Sequence, residues 1–194
     1  VLGIPVDGII NFHNGKFPTY RGVNIPSWAI INGETRHTVT WHMVAAGIDA
    51  GPVVADHEFE LSENETAISL ILKCIDFGLR LLPEVLDDYA SGALQTKTPE
   101  CAGRYYSAKD TPNGGLIDFS RRFEDIDRLV RGLTFHPFRN PFVSPHIDTD
   151  AGALHVGGAT RENIASAQAN VPPGEVIDVA DGTAVVKCAD AAVA

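Results

Sequence analysis

Three polar side chains near the start of the sequence have the types needed for chemistry at a carbonyl group. Asn11 and His13 are separated by one residue, and Asp49 stands alone in a loop of small residues. An amide and an imidazole can donate hydrogen bonds to a developing oxyanion, and a carboxylate beside them can manage protons. Together these residues predict a site that polarises a carbonyl and moves protons at the attacked carbon.

Taken one at a time, the same residues have ordinary structural explanations. An Asn at a strand end usually makes turn hydrogen bonds, and an isolated His is usually a satisfied core or surface residue. Asp before Ala-Gly is common in turns. The catalytic interpretation therefore depends on Asn11, His13 and Asp49 occurring together at this spacing.

The elements that must hold these side chains are short strands and one short helix. A buried strand is predicted at 8–13, and its polar residues come at the carboxyl end, where open α/β sheets bind ligands. A strand at 38–44 carries His42, and Asp49 lies in the loop that follows it. The other elements predicted here are a helix at 25–31 and a further strand at 52–61.

A long amphipathic helix is predicted over residues 65–90. Ser62 to Glu65 resembles a capping box at its start, Gly92 provides a stop, and Pro83 is expected to kink or break it. Apolar residues at helical spacing are expected to form its inward face. They are Ile68, Ile71, Leu72, Ile75, Leu79 and Leu82.

The sequence pattern changes after residue 100, which predicts a second domain. Residues 1–100 form the predicted first domain, 101–115 a linker, and 116–194 a small β domain. A leading helix is expected at 123–133. Short β runs follow at 153–156, 174–179 and 184–188.

The composition is that of an acidic globular protein. The 194 residues are 44% hydrophobic, enough for a packed core, and carry a formal net charge of −10. This balance argues against a bulk electrostatic grip on nucleic acid, which needs clustered Lys and Arg. There is no apolar run of membrane-spanning length and no signal-peptide pattern, so we expect a cytoplasmic protein. The cysteines match no zinc spacing, which predicts structural thiols at Cys74, Cys101 and Cys188 and no metal.

The residues singled out above resemble the 10-formyltetrahydrofolate-dependent formyltransferases. The matching motif has three parts at the family's spacing: Asn11-x-His13, Pro18-x-x-Arg21-Gly22 and Ile48-Asp49-x-Gly51. Similar stretches also occur at 28–34, 39–42, 105–119 and 126–131. The resemblance therefore covers nearly the whole chain.

The resemblance implies an α/β fold. It consists of the C-terminal half of a Rossmann-like formyltransferase domain, followed by a small OB-like β domain with a leading helix. In the family, the first half of the Rossmann-like sheet precedes the strand that carries Asn11 and His13. Since those residues are absent, we expect a truncated catalytic domain or a piece of a larger polypeptide.

The resemblance also implies roles for individual residues. Asn11 and His13 would stabilise the oxyanion, and Asp49 would assist proton transfer, with 10-formyltetrahydrofolate as the formyl donor and no metal. His42 and Arg21 are further candidates for lining the active site, although a structural role for His42 stays open. Two loops are expected to bind the folate: Gly15, Lys16, Phe17 and Pro18, and Ala46, Gly47 and Ile48.

The implied acceptor is a primary amine. An amino sugar nucleotide or a carrier-bound aminoacyl group is favoured over methionyl-tRNA, because residues 116–194 are acidic and a tRNA-binding domain needs a basic face. Two alternatives stay open. One is a 10-formyltetrahydrofolate hydrolase that uses water as the nucleophile, and the other is an inactive interaction module that keeps the fold.

Overall fold

The computed structural model describes residues 8–99, 103–180 and 182–194. The predicted domain boundary at residues 100 and 101 and the predicted thiol at Cys101 lie outside the described residues. Of the other two cysteines, both are buried. Burial raises the pKa of the Cys74 thiol to about 12, which is typical of an unreactive structural cysteine.

The chain divides into two compact units of mixed helix and sheet. The first contains Glu34–Asp110 and the described residues up to Ala29, and the second contains Ile30–Gly33 and Thr111–Ala194. The elements before residue 111 are β1 (Ile10–His13), β2 (Tyr20–Gly22), α1 (Ile25–Ile31), β3 (Arg36–Met43), β4 (Val53–Glu60), α2 (Ala67–Ser91) and β5 (Arg104–Tyr106).

A three-stranded antiparallel sheet with the order β1-β3-β4 forms the centre of the first unit. Its register places Asn11 opposite His42 and His13 opposite Thr40. The three strands and α1 lie where the sequence predicts them, with strand ends shifted by one or two residues. Since side chains alternate between the two faces of a strand, Asn11 and His13 of β1 lie on the same sheet face as His42 and Thr40 of β3.

The long helix begins later than predicted because a different capping box starts it. Thr66 is the N-cap: its hydroxyl accepts a bond from the Ser69 N–H at 3.3 Å, and the Ser69 hydroxyl accepts from the Thr66 N–H at 2.9 Å. The box predicted at Ser62–Glu65 is therefore wrong. Glu65 is buried instead and forms an ion pair with Lys73.

Helix α2 continues without a break through Pro83. The carbonyl that a proline frees belongs to the residue four positions earlier, which is Leu79. Both residues are exposed, so water can bond to the freed carbonyl. The break considered for this proline is therefore not found.

The buried face of α2 differs from the predicted one. Its members are Ala67, Leu70, Cys74, Gly78 and Val85. Gly78 allows the Phe12 ring to pack against the helix, since a Cβ there would lie 2.3 Å from a ring carbon. Three residues of the predicted inward face, Leu72, Ile75 and Leu79, are 54%, 44% and 60% exposed. The helical spacing is as predicted, but the buried face lies about one residue earlier along the helix, so that Ala67, Cys74 and Gly78 are buried.

Strands β2 and β5 form a separate parallel pair, so part of the predicted linker belongs structurally to the first unit. Tyr106 of β5 is buried and stacks on Trp28 and Tyr20, with ring centroids 4.5 and 5.7 Å away. Gly22 ends β2 with φ +98°, and a Cβ there would lie 2.0 Å from the Tyr106 carbonyl oxygen. Only glycine fits this close backbone contact.

The second unit is a small β structure with one leading helix. Its elements are α3 (Phe123–Gly132), β6 (His146–Thr149), β7 (Gly152–His155), β8 (Arg161–Glu162), β9 (Val176–Ala180), β10 (Thr183–Lys187) and β11 (Ala192–Val193). A four-stranded sheet has the order β8-β11-β10-β9, and β6 and β7 form a hairpin. Ile126 and Val130 of α3 pack with Cys188 and Val193 in its core. Within the described part of the chain, none of the helices is long and apolar enough to cross a membrane.

Candidate active site

The three residues of the predicted site converge where β1 meets the loop between β3 and β4, and His42 joins them. His13 Nδ1 lies 3.5 Å from Asp49 Oδ2, and His42 Nε2 lies 3.5 Å from Asp49 Oδ1. Asn11 Nδ2 lies 3.2 Å from His42 Nε2. We call these four residues the polar cluster; its carboxylate lies between two imidazoles.

Backbone contacts determine which nitrogen of His13 can exchange a proton. Its Nε2 lies 2.8 Å from the carbonyl oxygen of Tyr20. A carbonyl can only accept a hydrogen bond, so Nε2 carries a hydrogen and the neutral ring has its lone pair on Nδ1. Nδ1 is therefore the nitrogen that gains or loses a proton, and it faces Asp49.

Asp49 is held in place by the backbone of β2. Its Oδ2 accepts a hydrogen bond from the Gly22 N–H at 2.7 Å. Asp49 itself has φ +43°, a left-handed conformation that Asp tolerates better than most residues. A local turn and a contact from a distant strand thus aim the carboxylate at the two histidines.

The environment shifts the pKa of each ionisable member of the cluster. Burial lowers the pKa of His13, and the charge of Asp49 offsets this only in part. Burial also opposes charge on the other two, but their mutual attraction prevails. The pKa of His42 is raised by Asp49 and the Met43 carbonyl, and that of Asp49 is lowered by His42, the Gly22 N–H and His13. At neutral pH the cluster therefore contains an ionised Asp49 beside a neutral His13.

The loop that follows His13 is fixed by two side chains of β3. His37 Nε2 donates to the Asn14 carbonyl at 3.1 Å, and Thr40 Oγ1 donates to the Gly15 carbonyl at 2.9 Å. Gly15 is buried, and a Cβ there would lie 2.9 Å from His13 Nε2. Gly15 therefore leaves room behind the His13 ring, while the rest of the loop continues to the surface.

His37 predicts a pH-dependent stability for the first unit. Burial lowers its pKa from 6.5 to about 4. Between these values the unfolded chain binds more protons than the folded one, so stability is full above pH 6.5 and falls by roughly 3 kcal/mol on acidification to pH 4. Urea unfolding at several pH values, followed by tryptophan fluorescence, measures this loss, because both tryptophans lie in the first unit.

His37→Gln is the matched control for this prediction. Its amide nitrogen replaces the Nε2 donor to Asn14 but does not titrate. The variant should lose roughly 3 kcal/mol less than the wild type over the same acid range. Equal losses in the two proteins would assign the acid sensitivity to other groups.

A cleft of about 430 Å³ lies beside the polar cluster on the same sheet face. Thr38 and Thr40 of β3 line it together with their cross-strand partners Glu58 and Asp56. Thr38 Oγ1 is buried and has no hydrogen-bond partner among the described residues. Because an unsatisfied buried hydroxyl is unfavourable by about 1–3 kcal/mol, this atom is suited to receive a ligand group.

The predicted folate-binding residues lie at two places around the cluster. Lys16, Phe17 and Pro18 line the cleft, and Phe17 stacks on His42 with ring centroids 5.1 Å apart. Ala46, Gly47 and Ile48 form an exposed loop directly before Asp49, with Ile48 63% exposed.

Arg21 of β2, the other candidate for lining the active site, contacts the backbone just before β5. Its guanidinium donates to the Gly103 carbonyl at 3.1 Å. The contact of this segment with Asp49 comes from the backbone of the neighbouring Gly22. The described residues include no group of three or more His, Cys, Asp or Glu side chains arranged to hold a metal.

Sequence reasoning missed the structural roles of three residues that shape the site. Thr38 shares the face of β3 that carries His42, so strand alternation could have identified it. His37 carries no such signal, because its bond to the Asn14 carbonyl depends on the path of a loop. The Gly22 N–H was hidden for a similar reason, since a backbone donor has no sequence signature.

Comparison with known proteins finds similar sequences along both units of the chain. The family model for formyl transferase matches residues 1–86, and the model for the formyl transferase C-terminal domain matches residues 109–194. A methionyl-tRNA formyltransferase from Pelobacter propionicus is 33% identical over 75% of this chain and 46% of its own length. Another from a Roseiflexus species is 31% identical over 95% of this chain and 54% of its own length. The chain thus spans about half the length of the curated relatives it matches.

Solved structures share the fold at lower identity. An N-formyltransferase from Helicobacter canadensis, in complex with folinic acid and dTDP-3-aminofucose, has a TM-score of 0.73 and 20% identity over 96% of this chain and 65% of its own. A 4-N formyltransferase from Francisella tularensis has a TM-score of 0.69 and 24% identity over 77% of this chain and 61% of its own. With both family models matched in order along its length, the chain belongs to the formyltransferase family.

Proposed function

We propose that the protein transfers a formyl group from 10-formyltetrahydrofolate to a primary amine. The observation that carries this proposal is the convergence of Asn11, His13 and Asp49 into one cluster. The amine nitrogen attacks the formyl carbon, and the formyl oxygen becomes an oxyanion. The bond to the folate nitrogen then breaks, and the proton lost by the amine is returned to that nitrogen.

Each member of the cluster has a chemical task in this proposal. Asn11 is exposed and offers an amide N–H to the oxyanion. His13 adds positive charge beside the oxyanion when Nδ1 is protonated, since its Nε2 is already bonded to Tyr20 and its Nδ1 faces Asp49. Asp49 lies beside Nδ1 and stabilises that protonated form, so it assists the proton transfer between the two substrate nitrogens.

The donor and the acceptor are proposed to approach from opposite ends of one face of β3. Along this strand Thr38 and Thr40 line the cleft, His42 lies in the cluster, and the loop Ala46–Ile48 follows. We assign the loop with its exposed Ile48 to the pteridine and the cleft to the amine. The segment Gly15–Pro18 lies between them and would border both substrates.

The acceptor class is proposed to be an amine attached to a phosphate ester, either an amino sugar nucleotide or a carrier-bound aminoacyl group. Lys16 and Lys97 at the cleft can attract phosphate, while Asp56 and Glu58 can attract the amine. In residues 116–194 Asp and Glu outnumber Lys and Arg, which disfavours methionyl-tRNA. The Helicobacter canadensis structure contains an amino sugar nucleotide, in line with this choice.

The finer fold assignment is also a proposal. We interpret the sheet β1-β3-β4 with α2 as the C-terminal part of a Rossmann-like formyltransferase domain, and the second unit as OB-like. The order of the two family models along the chain supports both interpretations.

The test is formyl transfer by the complete gene product. The protein is incubated with 10-formyltetrahydrofolate labelled in the formyl group and, separately, with an amino sugar nucleotide, an aminoacyl phosphopantetheine thioester, methionyl-tRNA or no amine. Label in either of the first two products supports the proposal. Label only in methionyl-tRNA would overturn the acceptor class, and label only in formate would indicate a hydrolase. Failure to turn over or bind the folate would overturn the enzyme proposal altogether.

A further inference from the structure

Both ring nitrogens of His42 have partners, and these partners determine where its hydrogen lies. Nδ1 is 2.9 Å from the Met43 carbonyl oxygen, which can only accept, so Nδ1 carries the hydrogen. In the neutral ring Nε2 then has a lone pair. The Asn11 amide, with its nitrogen 3.2 Å away, must direct an N–H at this lone pair.

Nε2 also has a competing partner in Asp49. The carboxylate oxygen Oδ1 lies 3.5 Å away and can only accept, so a bond to it requires a hydrogen on Nε2. The two bonds exclude each other: a neutral His42 accepts from Asn11, whereas a protonated His42 donates to Asp49. The ring is 2% exposed and stacked on Phe17 at an interplanar angle of 5°, so protonation changes its partner without a large ring movement.

We propose that His42 is a positioning residue that sets the orientation of the Asn11 amide through its own protonation state. The proposal rests on the formyl-transfer function above. Neutral His42 takes one amide N–H of Asn11 and leaves the second for the formyl oxygen. Protonated His42 repels the amide N–H and releases Asn11, so the oxyanion donor loses its alignment.

The charged and titratable groups around His42 favour its protonated form. Asp49 of the β3–β4 loop faces Nε2, and the ring of His13 on β1 lies 6.3 Å away. On β4, Asp56 lies opposite Thr40, and Lys16 beside Phe17 is paired with Glu58. Burial opposes protonation, but Asp49 and the Met43 carbonyl together raise the pKa of His42.

The first experiment determines the hydrogen position directly in the full chain. Long-range ¹H–¹⁵N correlation spectra at pH 8.5 distinguish the two neutral histidine tautomers, and the signals missing from His42→Asn identify the ring. We expect the hydrogen on Nδ1 of His42 and on Nε2 of His13. A His42 hydrogen on Nε2 would overturn the proposal, whether or not the protein turns over.

The second experiment uses two amide variants in the complete gene product. His42→Gln places an acceptor oxygen near the Nε2 position, whereas His42→Asn reaches only the Nδ1 position. Misalignment of a catalytic group costs up to about 100-fold, so we expect kcat of His42→Asn to fall 10- to 100-fold. The kcat of His42→Gln should be about tenfold higher than that of His42→Asn. The KM for the folate should change little in either variant.

The pH profile separates positioning from structural support. The wild type should lose kcat as His42 gains a proton. In His42→Gln this acid limb should be displaced to lower pH, because its amide does not titrate and only His13 and Asp49 remain to do so. Equal losses of kcat in the two variants, or an unchanged acid limb in His42→Gln, would overturn the proposal. Absence of wild-type turnover would instead contradict the formyl-transfer function, and the tautomer measurement would still decide the role of His42.

Discussion

Asp49→Asn is expected to lower kcat for formyl transfer by about three orders of magnitude, near the middle of the range for a lost acid–base group. The amide keeps the size of the side chain and can still accept from the Gly22 N–H at its present 2.7 Å distance. It carries no charge, however, so it cannot stabilise protonated His13. The folate KM should remain within a few-fold of the wild type, because the change affects charge and not shape.

The measurement is steady-state formyl transfer with the amine identified by the labelling assay. Asp87→Asn is the control, since Asp87 lies exposed on α2 and the same charge is removed far from the cluster in sequence. It should have wild-type kinetics. A kcat for Asp49→Asn within tenfold of the wild type would contradict the assigned role.

Gly22→Ala is expected to destabilise the first unit by about 3 kcal/mol or more, because it combines backbone strain with a steric clash. Gly22 has φ +98°, and its Cβ would lie 2.0 Å from the Tyr106 carbonyl oxygen. To relieve this overlap, β2 must move away from β5. The movement also withdraws the Gly22 N–H from Asp49, so activity should fall together with stability.

Gly92→Ala is the control that distinguishes the steric clash with Tyr106 from the strain of a positive φ angle. Gly92 has φ +73° at the end of α2, but a Cβ there would meet nothing within 4 Å. Its replacement should lower stability by only about 1 kcal/mol in urea unfolding monitored by tryptophan fluorescence. If both glycine variants lose the same stability, the contact with Tyr106 is not the cause.

The sequence predicted those parts of the first unit that depend on local patterns. The β-branched alternation at 38–44 identified β3, and a proline in the first turn with glycine after the end identified α1. The spacing of Asn11, His13 and Asp49 predicted three side chains that the structure brings together with His42. These signals are local or carried by the family motif, so they survive without knowledge of tertiary contacts.

Other features could not be predicted because distant residues decide them. The parallel pairing of β2 with β5 joins segments about eighty residues apart, and no local sequence pattern near Arg104 predicts it. On α2 the large aliphatic residues suggested the buried face, but the close approach of Phe12 requires a glycine at position 78. The N-cap is Thr66 and not a residue of the predicted box. Glu65 instead forms an ion pair with Lys73 and accepts a hydrogen bond from the Ser69 hydroxyl.

The two backbone carbonyls that hold His13 and His42 have a consequence for the electrical behaviour of the site. Tyr20 and Met43 each occupy one nitrogen of a ring, which leaves both remaining nitrogens facing Asp49. The carboxylate of Asp49 thus interacts with both imidazoles, so the protonation of one ring affects the pKa of the other. A kinetic pH profile will therefore report apparent pKa values that belong to His13, His42 and Asp49 together. Replacing one of the two histidines will shift the apparent pKa measured for the other.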